Sequence, residues 1–229
     1  MNFGAVALSE DKTTTPEKEL EERDPDVRLM IQVRGEVQGA FEVLVQRYQN
    51  RLLGILTHMI GNVQEAEDLA QEVFLRIYKA RKGYKPRAKF STWLFTIAHN
   101  LALNHLRGKG RNPDVPLERA APGTATSSIR PIDRVPGPSV TASAQMRQVE
   151  LAEVVREALD ALGEDQKMAV LLNKFEGMGY ADIAQVMGRS DAAIKSLLAR
   201  ARYNLRERLE PYLRSGEKPP ASARGNGEP

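Results

Sequence analysis

The sequence predicts an all-α fold: two helical domains joined by a long extended linker, the C-terminal one a helix-turn-helix. Three observations predict it. Apolar residues recur at helical spacing along most of the 229 residues, with no convincing run of strict alternation. Residues 108–145 hold six prolines and four glycines among Ser, Thr and Ala, too little apolar bulk for a core. Near the C-terminus, Ala184, Gly188 and Ile194 stand at the spacing that two helices crossing at a tight turn require.

Taken in order, residues 1–26 carry eight acids against three cations, a local balance of −5 in a chain of net charge +3. Residues 1–25 therefore read as an acidic disordered tail, and the rest as a basic body suited to a polyanion. Helices are expected over 26–33 and 37–60, parted at Gly35. Gly61 and Asn62 punctuate the next start, and Asn62 with Glu65 three residues on forms a capping-box pattern. Behind it Ala66, Leu69, Ala70, Val73, Phe74 and Ile77 mark an apolar stripe to about Ala80. Gly83 and Pro86 open a basic loop. Ser91 or Thr92 is then placed to cap a fourth helix, with Leu94, Ile97, Ala98 and Leu101 on one face, ending at Arg107. This first domain spans 26–108 and the linker 109–147. Helical patterning resumes near Gln148, giving a second domain over 148–213 and a disordered Gly/Pro/Ala tail over 214–229.

Composition excludes several kinds of function. There is no cysteine, which removes disulfides and thiolate metal sites. No apolar run approaches the roughly 20 residues a bilayer-spanning helix needs, and no signal peptide is visible at the N-terminus. A cytoplasmic protein is expected. The three histidines are His58, His99 and His105, and the last two lie six residues apart, on different sides of a helix. No catalytic set, metal site or cofactor is expected, and the chain does not read as an enzyme.

From Val73 to Pro113 the chain runs 41 residues without an Asp or Glu, while carrying ten cations. Seven cluster between Arg76 and Lys89, among them Arg81, Lys82, Lys85 and Arg87. Interleaved are Phe74, Tyr78, Tyr84, Phe90, Trp93 and Phe95. Cations that neutralise phosphates, set among rings on which unstacked bases can lie, suit a single strand better than an intact duplex. A solvated basic face beside ordinary core aromatics is the competing reading.

The second basic feature is the C-terminal pair of helices. Residues 180–187 make a short helix, Gly188 supplies the turn, and Ser190 is the N-cap of the next helix. Ile194, Leu198, Ala201 and Leu205 seat that helix, which leaves Ala192, Lys195, Ser196, Ala199, Arg202 and Arg206 projecting outward. Small residues permit close approach to a groove, and Lys or Arg there reach base edges or phosphates.

Four ordered runs resemble one family: FEVLVQRY (41–48), AEDLAQEVFLRIYKA (66–80), FSTWLFTIAHN (90–100) and YADIAQVMGRSDAAIKSLLARARYNL (180–205). The chain is identified as a member of the sigma-70 family of bacterial RNA polymerase sigma factors, in the extracytoplasmic-function group. The resemblance covers roughly 26–108 and 148–212. It implies a stress-response transcription factor that binds the beta and beta-prime subunits of core RNA polymerase and directs the enzyme to −35/−10 promoter DNA. It implies Asp68, Gln71, Glu72 and Phe74 at the polymerase contact, although Phe74 also lies on the apolar stripe. It places Arg81, Lys82, Lys85, Arg87, Lys89, Trp93 and Asn100 at the −10 element, where the loop walls a pocket for an extruded base. It places Ser190, Ala192, Lys195, Ser196, Ala199, Arg200 and Arg202 at the −35 element. Leu197 stands where many members carry Arg, and its angle suits packing. An anti-sigma factor partner is implied too.

A distance check fits this reading. Promoter elements some 25 base pairs apart are separated by about 85 Å, and the 38 residues 108–145 reach at most about 130 Å when extended. The alternative is an autonomous operator-binding regulator, which explains the helix-turn-helix but leaves residues 66–80 and the acid-free stretch without purpose.

Overall fold

The computed structural model describes residues 16–111 and 142–216, and every regular element among them is helical. In order these are α1 (Pro16–Arg23), α2 (Pro25–Arg34), α3 (Ala40–Ile60), α4 (Val63–Ala80), a 3-10 turn at Arg81–Gly83, α5 (Phe90–Arg111), α6 (Ala142–Asp160), α7 (Glu164–Lys174), α8 (Tyr180–Met187) and α9 (Asp191–Ser215).

The helix boundaries follow from local chemistry, with corrections. Part of the segment expected to be a disordered tail is the acidic helix α1. At α2, Asp24 Oδ1 accepts from the backbone N–H groups of Asp26 (2.9 Å) and Val27 (3.4 Å), and Pro25 occupies the first turn, where its missing N–H is harmless. The next helix starts at Ala40 rather than at 37, because Glu36 (φ 61°) and Gly39 (φ 82°) both sit in the left-handed region and break the chain. The Asn62 cap forms as expected, its side chain accepting from Glu65 N–H at 3.2 Å. Neither Ser91 nor Thr92 caps α5. That helix begins at Phe90, whose N–H donates to Asp24 Oδ2 at 2.9 Å. One carboxylate thus serves two helix starts, the second 66 residues beyond Asp24 in sequence. Helix α5 runs on to Arg111 and α6 starts at Ala142, so helix reaches into both ends of the stretch expected to be linker. The rest of that linker lies outside the described residues, as do 1–15 and 217–229.

Helices α2 to α5 form one half, around Val27, Met30, Leu44, Leu52, Leu56, Ile77, Phe90 and Leu94, all nearly or fully buried. Helices α6 to α9 form the other, around Met168, Leu171, Leu172, Ile183, Ile194 and Leu198. The halves do not stand apart. Helix α8 packs on α5 and α7 on α3, and the buried residues of both halves join in one continuous core. This explains why α5 is buried on two sides where periodicity showed one. Leu94, Ala98 and Leu101 fill the expected face, while Thr92, Phe95, His99 and Ala102 bury a second face beside it.

Candidate nucleic-acid interface

The basic loop between α4 and α5 is held by backbone and ring contacts as well as by ion pairs of its own cations Arg81, Lys82 and Lys89. Arg34 Nη1 donates to the Tyr84 carbonyl at 3.0 Å, tying the loop to α2. The Tyr84 ring lies 4.9 Å from Trp93, Trp93 lies 6.0 Å from Phe90, and Phe90 lies 5.2 Å from Tyr48. Burial, chiefly, pushes the Tyr84 hydroxyl pKa up, with the negative charge of Asp24 adding to it. A cavity of about 440 Å³ opens between this loop and α5. Tyr84, Lys85, Arg87, Thr92, Trp93 and Thr96 line it, and Gln185 of α8 joins from the other half.

Lys85, Arg87 and Lys89 are exposed around this cavity. Trp93 is half-buried at its wall, and Asn100 is exposed two turns further along the same side of α5. Arg81 and Lys82 go elsewhere. The Arg81 guanidinium lies over the Tyr78 ring, 3.9 Å from its centroid, and donates to the Tyr78 carbonyl. Arg81 and Lys82 both approach Glu36, at 3.7 and 3.6 Å. Of the seven residues expected at the −10 strand, Lys85, Arg87 and Trp93 line the cavity, Lys89 and Asn100 are exposed beyond its wall, and Arg81 and Lys82 turn elsewhere.

The aromatic expectation is corrected as well. Tyr84, Phe90 and Phe95 are core residues, and Phe74 is half-buried against Phe41 at 6.5 Å. Of the six rings Tyr78 alone is exposed, with Trp93 and Phe74 half-buried, so cations and a cavity define the face more than a row of stacking platforms does.

On α4, Asp68 and Gln71 are exposed and Glu72 is half-buried, paired with Arg76 at 2.7 Å. They share a face, and Phe74 does not lie on it. Leu75, 44% exposed, does, and sequence reasoning missed it. The available signal was its position seven residues beyond Asp68.

The helix-turn-helix forms as expected. Gly188 takes φ 62° and closes α8, donating to Ala184 and Gln185 carbonyls. Ser190 Oγ accepts from Ala193 N–H at 3.2 Å, a capping role that fixes the start of α9. Ile194 and Ala201 are fully buried and Leu198 nearly so, while Leu197 packs half-buried against them. Ala192, Lys195, Ser196, Ala199 and Arg200 are exposed along one side. Arg202 is exposed too, but its guanidinium turns back toward Tyr180 Oη at 3.4 Å and the Leu198 carbonyl.

Two histidines sit where the halves meet. Burial pushes His58 below its ordinary pKa, Lys167 and Arg156 adding to the effect and Asp160 opposing it. Burial likewise lowers His99, with Arg189 and Arg107 in the same direction and Asp165 against. A depressed folded-state pKa contributes stability that is present above about pH 6.5 and lost as pH falls through the lowered value. Glu176, raised by burial against the pull of Arg51, acts in the opposite sense from the carboxylate range upward. The melting temperature, followed by circular dichroism, is therefore expected to fall as the pH drops from about 7.5 to about 5.5, before Glu176 compensates. A flat profile would contradict the burial of His99 and the partial burial of His58. Among the described residues no helix is long and apolar enough to cross a membrane.

Comparison with known proteins matches this geometry on both halves. The family described as sigma-70 region 2 matches residues 44–112, and sigma-70, region 4, matches residues 152–205. The RNA polymerase sigma-H factor of Pseudomonas aeruginosa is 33% identical over 195 residues, covering 84% of this chain and 97% of that protein. The ECF RNA polymerase sigma-E factor of Haemophilus influenzae is 31% identical over 191 residues, covering 82% and 97%. Among solved structures, CnrH in complex with the cytosolic domain of CnrY superposes with a TM-score of 0.59 at 23% identity, over 82% of this chain and 99% of that one. RpoE from Bartonella quintana, solved with the anti-sigma factor NepR, gives 0.54 at 24%, over 74% and 96%. Both likenesses speak to the fold.

Proposed function

The chain belongs to the sigma-70 family, in its extracytoplasmic-function group, and from that premise we propose that it binds core RNA polymerase in the cytoplasm, directs it to −35/−10 promoters and helps melt the −10 element. The observation that carries the reading is the pairing, in one chain, of two matched regions that each expose a cationic face: Lys85, Arg87 and Lys89 on the first, Lys195 and Arg200 on the second.

The duties divide as follows. The exposed face of α4, with Asp68, Gln71, Glu72 and Leu75, meets the polymerase. Lys85, Arg87 and Lys89 neutralise phosphates of the −10 strand, while Trp93 and Asn100 face its bases. The cavity beside Tyr84 is of a size to accept an extruded base, which repays part of the few kcal/mol that unstacking costs. Recognition of the −35 duplex falls to Lys195, Ser196, Ala199 and Arg200, with Ala192 allowing close approach. Ser190 and Arg202 position that helix. The chemistry of RNA synthesis belongs to the polymerase, and an anti-sigma factor is the expected antagonist.

The test is run-off transcription with purified bacterial core polymerase on a pool of supercoiled promoter fragments. New transcripts are expected with the protein. They should drop by more than about tenfold when Asp68 and Glu72 are both changed to Lys, since like charges facing across an interface cost several kcal/mol. No transcripts, together with tight sequence-specific binding to bare duplex, would instead make the chain an autonomous regulator.

A further inference from the structure

Tyr203 of α9 shares the outward face of Ser196, Ala199 and Arg200. The side that seats the helix is marked by Ile194, Leu198, Ala201 and Leu205, all buried or half-buried. On a helix turning about 100° per residue, Tyr203 lies about 160° from Leu205 and about 20° from Ser196. It is nearer the centre of the outward face than Arg202 or Arg206, which sequence reasoning placed there. Its neighbours turn inward. The Arg202 guanidinium points back to Tyr180 Oη, and the Asn204 amide donates to Gln166 Oε1 at 3.2 Å. Tyr203 itself is 63% exposed, and among the described residues it has neither a hydrogen bond nor a ring partner.

Its place along the axis decides what it meets. A recognition helix contacts base edges with its N-terminal residues. Tyr203 comes seven residues after Ser196, about 10 Å further along the axis, in a major groove about 12 Å wide. That carries it past the base edges to the rim, where sugar and phosphate run. One turn on, the same line reaches the exposed Glu207, which a polyanion repels. The surface fit for DNA therefore ends at Tyr203. A phenol suits such a boundary: its O–H donates to a phosphate oxygen and its ring covers the sugar, with no charge of its own.

We propose that Tyr203 is a backbone anchor at the rim of the −35 site, donating its hydroxyl hydrogen to one phosphate of the duplex and so setting how deep α9 docks. It rests on the −35 reading given above. Lys195 and Arg200 act through charge and release counterions, whereas Tyr203 acts through one neutral donor and releases none. Such a contact holds the helix on any sequence and adds nothing to the choice between bases.

The test titrates the full-length protein against two fluorescein-labelled probes over a range of salt: a promoter duplex recovered from the pool above and a mixed-sequence duplex. Tyr203→Phe is expected to weaken binding to both about fivefold at every salt concentration. The slope of log affinity against log salt should not change. Tyr203→Ala, which also removes the ring, should weaken both about tenfold. Lys195→Ala, by contrast, should make the slope shallower by about one. The side chain is mostly exposed, so circular dichroism should show both Tyr203 variants folded. Neutral methylphosphonate, replacing one phosphate at a time in the promoter duplex, should reproduce the Tyr203→Phe loss at one position, and there the two losses should not add. Unchanged binding by Tyr203→Phe overturns the anchor, whatever Tyr203→Ala does. A loss confined to the promoter duplex overturns it too, since Tyr203 would then be reading bases. If neither Lys195→Ala nor Arg200→Ala changes affinity or slope on either probe, the −35 reading of α9 fails, and the anchor falls with it.

Discussion

Replacing Asp24 by alanine is expected to lower the stability of the N-terminal half by about 2–3 kcal/mol, because a single carboxylate caps two helices at roughly 1 kcal/mol each and carries a charge at both helix N-termini. Oδ1 holds the start of α2 and Oδ2 the start of α5. Its loss leaves three N–H groups seeking water at a half-buried site. Asp24→Asn keeps one acceptor oxygen and should lose about half as much. Urea unfolding read by tryptophan fluorescence measures the change, since Trp93 lies three residues beyond Phe90 and packs against its ring. The loop from Arg81 to Lys89 should loosen with it, so affinity for a DNA strand is expected to fall in parallel. A stability change below about 0.5 kcal/mol would mean that the two helix starts are held by other contacts.

In the C-terminal half the largest effect is expected at Ile194. Its side chain is fully buried at the crossing of α8 and α9, and Ile194→Ala should cost about 3 kcal/mol in lost contact and residual cavity. Ile194→Val, which removes one methylene, should cost about 1 kcal/mol. The exposed positions Lys195 to Arg200 are untouched by either change, so a loss of duplex binding that tracks the stability loss identifies the crossing as what aims them. Duplex binding that survives an unseated α9 would show that the cations act as a diffuse charge rather than as an oriented reader.

What the sequence made legible was what is decided within a few residues. The helix-turn-helix is the clearest case: Gly188 must accept a left-handed φ, Ser190 must cap, and Ile194 must plug the crossing, all inside one short window. Helix α4 behaves likewise, with its cap at Asn62 and its stripe through Ile77. What remained hidden depends on partners distant in sequence. No local rule links Asp24 to Phe90, and none shows that Thr92, Phe95 and His99 form a second buried face, because the surface that buries them belongs to the other half. The acid-free stretch reads as one basic patch in sequence. In space it divides, Arg81 and Lys82 turning toward Glu36 and Tyr78 while Lys85 to Lys89 stay with the cavity. Its rings misled for a simple reason: aromatic residues beside cations are as useful for packing a loop onto a helix as for receiving bases.

The ion pair between Lys89 and Asp182 sets a limit on how such a protein can be tuned. A cation added near Lys89 to strengthen the grip proposed for it on nucleic acid also strengthens the attraction to Asp182 of α8, so the two gains partly cancel. Removing that acid frees the lysine but also takes a negative charge from the surface beside it, so attraction to any polyanion rises with it. Changes at Lys89 and Asp182 are therefore coupled, and varying the loop alone tests only one side of the pair.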